Sequence, residues 1–320
     1  MGYLAGDKIL DNEYNTFVAS SSDPFGYNHF AGTGSAQYGL GETELAQVSA
    51  DASNTIKAAS WNSLFSAMDN IANHTNDSLT ARGQVTVGDP IKIKAAVATD
   101  LATLAASVAG GSTSATALGT NAIGSSTSGS TYNTSATIER SVTFANADKM
   151  RHFFNAGGKI RVDPSCVTGI DGSKDDVFND LTVNAIGNLD IASQASTRSG
   201  SGETLTTNGL SNGFHDLGTG YTTIIKLTSD NSGYTSNTVE ISAKLNAAVG
   251  SATIITIKCV FTDAADDTTF TSGNTSGIPT NPNEAPKMVL AIIEVHPTDA
   301  QGLSAAIQSA SNAQVSNSTS

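Results

Sequence analysis

The chain has 320 residues, a formal charge of −13, and charged side chains at only 14% of positions. Its 16 Lys and Arg are dispersed, which excludes the clustered basic surface that a nucleic-acid backbone requires, and no apolar run reaches the ~18 residues of a membrane span. Gly, Ser, Thr, Asn and Ala stand where charges usually would, and such a surface can pack between subunits with little charge desolvation.

The first element is a phrase used twice. Asp7–Ser20 reads DKILDNEYNTFVAS and Asn54–Ala67 reads NTIKAASWNSLFSA, aligning Ile9 with Ile56, Tyr14 with Trp61, Asn15 with Asn62, Phe17 with Leu64 and Val18 with Phe65. In each copy an isoleucine in an extended stretch leads into a short helix, and the aromatic and its apolar partners three and four residues on share one face. Asp11 or Asn12 is the expected cap of the first helix and Ser60 of the second. Neither unit can bury its own face, so each docks on something else, in this chain or another copy, with Tyr14 and Trp61 buried.

Between the copies, Phe25, Tyr27, Phe30 and Tyr38 alternate with Gly26, Gly32, Gly34, Gly39 and Gly41, the composition of an extended arm that lays aromatics into a neighbour. Trp61–Asn73 continues the second helix. After the extended piece Val85–Ile91 a further helix is expected over Thr99–Val108, capped by Thr99, either a separate helix or a degenerate third docking repeat without the aromatic. Residues 110–135 are Gly/Ser/Thr-rich and read as a linker, closing an N-terminal attachment region over 1–109.

The second half, 136–298, reads as a β-sandwich with short helices at its ends, so the fold class is mainly β with short helices (α+β). Strands are expected at Thr137–Phe144, Lys159–Val162, Thr182–Ile186, Tyr221–Leu227, Thr238–Leu245, Ala252–Phe261 and Lys287–Val295. A helix ending at Gly157-Gly158 places Phe153 and Phe154 on two faces, one toward the sandwich, with Lys149 and Arg151 at the surface. Another helix is expected at Asp175–Leu181. The polar tail 299–320 reads as a frayed end or docking arm. The arm Phe25–Gly41, the 110–134 stretch and the tail have little apolar surface to offset ordering entropy, so their ordering is expected to accompany assembly.

Chemistry is sparse. The five histidines are far apart with no HxH or HExxH spacing, and Asp263, Asp266 and Asp267 lack the pattern of a calcium loop. Cys166 and Cys259 form no metal motif; a bridge between them is conceivable, but both read as small buried hydrophobes in a reducing compartment. Glycine pairs lack the third glycine of a dinucleotide fingerprint. Glu203, Glu240 and Asp216 show no glycosidase pairing. No enzyme, cofactor or metal site is expected. The first residues lack a basic segment followed by an apolar run, so no signal peptide is expected.

The segments GDKILDNEYNTFV, AASWNSLFSAMDNIANH, SVTFANADKMRHFFNAGGKIRV and GYTTIIKL with YTSNTVEISAKL resemble virion structural proteins of tailed bacteriophages, those of marine and cyanobacterial phages in particular. The resemblance implies a non-enzymatic, oligomeric neck, tail or fibre component, held in the virion by other copies and other virion proteins. A capsid decoration or host-adhesion β-module, touching a host surface, is the alternative. The residues expected to dock are Ile9, Tyr14, Phe17, Phe25, Tyr27, Phe30, Ile56, Trp61, Leu64, Phe65, Phe153 and Phe154.

Overall fold

The computed structural model describes residues 11–48, 56–87, 94–167, 172–264, 285–298, 303 and 311–320. Ile9, Asp266 and Asp267 lie outside the described residues. The chain divides into two compact units: Met1–Gly119 with Asp148–Gly158 and His296–Ile307, and Thr120–Ala147 with Lys159–Val295 and Gln308–Ser320.

The first unit is helical. It holds α1 (Asp11–Val18), α2 (Tyr27–Phe30), α3 (Ala58–Thr75), α4 (Lys94–Ala109) and α5 (Ala147–Asn155). In α3 the apolar positions Trp61, Leu64, Phe65, Met68 and Ile71 recur at helical spacing, and all are buried. Lys57, with no side-chain cap, precedes α3, so Ser60 is inside the helix and not its cap. Thr99 likewise lies within α4. In both cases apolar packing carries the helix past the hydroxyl, whose preference for a cap is worth only about 1 kcal/mol.

The strand–helix–strand phrase divides between the units. Its helix α5 belongs to the helical unit, not to the sandwich that sequence order suggests. Phe153 and Phe154 are both fully buried, with centroids 5.1 Å apart and rings perpendicular. Arg151, expected at the surface, is buried too, because backbone carbonyls receive its guanidinium.

The second unit contains two antiparallel sheets in a sandwich-like arrangement. Its strands are β1 (Leu118–Thr127), β2 (Ser135–Thr143), β3 (Lys159–Cys166), β4 (Leu189–Ile191), β5 (Ser196–Arg198), β6 (Thr204–Asn208), β7 (Thr222–Thr228), β8 (Thr238–Leu245), β9 (Ile254–Thr262), β10 (Met288–Pro297) and β11 (Ser311–Thr319). The orders are β1-β10-β3-β4-β5 and β11-β2-β9-β8-β7-β6. Strict alternation in β2 and β9 sends Ile138, Val142, Ile255, Ile257, Cys259 and Phe261 to one buried face. Their register places Ile138 opposite Cys259 and Val142 opposite Ile255. Cys166 and Cys259 are free thiols, the first half-buried and the second buried.

Three segments differ from expectation. Leu118–Thr127, inside the stretch read as a linker, is β1, and Ser311–Thr319, read as a frayed tail, is β11, paired along β2. Neither has an apolar pattern; backbone ladders hold both, with polar ties such as Ser126 to Gln314 at 2.8 Å and Asn317 to the Thr127 carbonyl at 2.6 Å. Asp180–Ile186, read in part as a strand, instead continues the helix α6 (Gly172–Asn179) as a wide turn. There Leu181, Ala185 and Ile186 are buried, and the Thr182 hydroxyl donates to the Phe178 carbonyl at 2.6 Å. A short apolar run fits either period, and the helical one prevails.

Candidate functional site

The two copies of the repeated phrase dock on each other. Tyr14 meets Trp61 edge-on at 5.4 Å between centroids, and Phe17 meets it at 6.0 Å. Tyr14, Phe17, Trp61, Leu64 and Phe65 are all buried, while Ile56 is half-buried. Phe65 lies between Trp61, at 5.8 Å, and the Arg82 guanidinium, 5.2 Å above its ring. Arg82 forms a buried ion pair with Asp100, whose carboxylate also accepts from the Thr80 N–H and hydroxyl.

The residue after each aromatic does different work. On a helix, neighbours are about 100° apart, so a buried aromatic leaves the next side chain on the flank of the helix. That residue is asparagine at Asn15, Asn28 and Asn62. Asn15 accepts from the Val48 N–H at 2.7 Å and donates to its carbonyl at 2.8 Å. Asn62 does the same to Val85, at 2.8 and 3.0 Å, and Asn28 to Leu45, at 2.8 and 2.9 Å. A carboxamide offers one donor and one acceptor side by side, so each asparagine imitates a strand partner for one residue of extended chain.

The helical unit holds a fourth aromatic–asparagine dipeptide, Phe154-Asn155, which ends α5. Asn155 donates to the carbonyls of Ala36 at 3.2 Å and Gly39 at 3.0 Å. Arg151 donates to Thr33 at 2.6 Å and to Tyr38 at 3.4 Å, and His152 donates to Thr33 at 3.1 Å. The glycine-rich segment is therefore not an open arm. It is a loop whose carbonyls are held by α5. Tyr27 and Phe30 are buried against each other at 5.9 Å, and half-buried Phe25 contacts His29 and Tyr38. Gly41 has φ +76, and a Cβ there would come within 2.5 Å of His152 Nδ1.

Two histidines, His74 and His152, serve the same packing. His74 is fully buried and donates from Nε2 to the Ala156 carbonyl at 2.8 Å. Burial lowers the pKa of both His74 and His152, more than their carbonyl partners raise it. Among the described residues, no group of three or more His, Cys, Asp or Glu could hold a metal ion, and no helix is long and apolar enough to cross a membrane.

In the second unit, charges on the outer row of the six-stranded sheet compensate one another. Tyr221 donates to Glu139 at 2.7 Å and carries Lys244 and Lys258 against its ring at 4.4 and 4.0 Å. Lys226 pairs with Glu240 at 3.4 Å.

Sequence reasoning found the aromatics and aligned Asn15 with Asn62, but assigned the asparagines no role. The signal was present in the recurring aromatic–asparagine dipeptide. Comparison with known proteins gives no match among family models, curated proteins or solved structures.

Proposed function

We propose that the chain is a non-enzymatic virion structural protein of a tailed phage, an oligomeric neck, tail or fibre component attached through its N-terminal region. The observation that carries this reading is the set of asparagine clamps on α1, α2 and α3: polar side chains at prominent helical positions are committed to gripping backbone. The sequence resemblance to virion proteins supports it. So does the compensated outer face of the six-stranded sheet, which another subunit can cover with little charge desolvation. The aromatics of the repeated helices are covered inside the helical unit, so attachment falls to its outer surface.

The test is to locate and count the chain in purified particles by gold labelling and quantitative mass spectrometry. A few to a few dozen copies at the neck or tail is the expected result. Hundreds of copies over the head would replace it with capsid decoration, and absence from particles would end the virion reading.

A further inference from the structure

The second unit buries a reactive pair. Lys174, on α6, is fully buried, and its Nζ lies 2.7 Å from Oδ2 of Asp263, whose side chain is 1% exposed. Asp263 directly follows β9 and is anchored by its N–H to the Thr134 carbonyl at 2.9 Å. Tyr132 closes the surroundings: it is 2% exposed, its ring meets Phe178 at 5.9 Å, and its buried hydroxyl has no hydrogen-bond partner among the described residues. Burial is the first cause that raises the Tyr132 pKa, and the Asp263 charge adds to it.

An ammonium and a carboxylate in such a dry site each carry a desolvation cost of several kcal/mol. Neutralising both by proton transfer removes that cost and creates the two species that react, a free amine and a carboxylic acid. They are held in contact, and orientation of this kind replaces the concentration that amide formation otherwise needs. We infer that Lys174 and Asp263 join in an intramolecular isopeptide bond.

The atoms balance without any co-reactant. The Nζ lone pair attacks Cγ of Asp263, forming the N–C bond, and the Cγ–Oδ2 bond breaks with its electron pair leaving on oxygen. Of the three protons on the starting ammonium, one stays on the amide nitrogen and two depart with Oδ2 as water. The product is a neutral amide in a site that disfavours charge, tying α6 to the end of β9 across 89 residues of chain.

The experiment is mass spectrometry of the purified full-length chain under denaturing conditions. The expected intact mass is lower than the sequence mass by one water, and a protease digest yields a branched peptide joining Lys174 to Asp263. Trypsin does not cut after Lys174 in that species. Lys174→Arg restores the full sequence mass. A wild-type chain at full sequence mass, or cut quantitatively by trypsin after Lys174, overturns the inference. A water deficit that persists in Lys174→Arg does the same. Should that variant fail to fold, the wild-type digest decides alone.

Discussion

At the scale of single residues, the helical unit separates two jobs that adjacent side chains perform. Trp61 supplies apolar burial at the junction of the two repeats, and Trp61→Ala is expected to cost about 3–5 kcal/mol in denaturant unfolding. Asn62 supplies two hydrogen bonds to Val85. At about 0.5–1.5 kcal/mol each, Asn62→Ala is expected to cost about 1–3 kcal/mol, with amide exchange at Val85 rising more than exchange elsewhere. Asn62→Asp keeps the acceptor and loses the donor, so it sets a carboxylate against the Val85 carbonyl and restores little. His74 and His152 give the unit a pH response. Burial holds both folded-state pKa values below the ordinary 6.5, so the unfolded chain binds more protons between the two values and stability rises with pH there. Their contribution is complete above pH 6.5 and is lost as pH falls through the lowered folded values. Melting temperatures followed downward from neutral pH check this, and His74→Gln is expected to flatten the response.

At the scale of elements, α5 and the glycine-rich loop form one device. Gly41→Ala places a methyl group where His152 stands and forces a positive φ on a residue with a Cβ. The expected loss is about 1–3 kcal/mol, read by denaturant unfolding, with exchange rising in the loop 33–41. The sequence made some of this visible and hid the rest for physical reasons. Helices α1, α3 and α4 and strands β2, β7, β8, β9 and β10 are legible because apolar periodicity writes a buried face into the residue order. β1 and β11 are not legible, since their ladders use backbone groups that every residue possesses. The sole large apolar side chain of β11, Val315, is exposed. The pairing of α5 with residues 33–41 was hidden for another reason. Its donors bind carbonyls, so the loop sequence records glycines and turns but not its partner.

At the scale of the whole molecule, neither compact unit is a continuous segment. The chain passes from one unit to the other at 119/120, 147/148, 158/159 and 295/296, and again between Leu303 and Ser311. A fragment of residues 1–119 lacks α5, leaving the Thr33, Ala36 and Gly39 carbonyls without their donors. It is expected to show incomplete helical unfolding cooperativity by circular dichroism, whereas the full chain melts sharply; a fragment melting as cooperatively as the full chain would refute this. The interleaving also bears on heredity. Genes assembled by recombination exchange parts most readily where one crossover separates one folded body from the next. Here no single crossover does so, because any breakpoint between residues 119 and 296 divides at least one unit between two parents. A hybrid gene would have to match α5 to a foreign glycine loop, or β2 to a foreign β11. Sequences of this architecture are therefore expected to be inherited whole, with divergence accumulating by substitution in place.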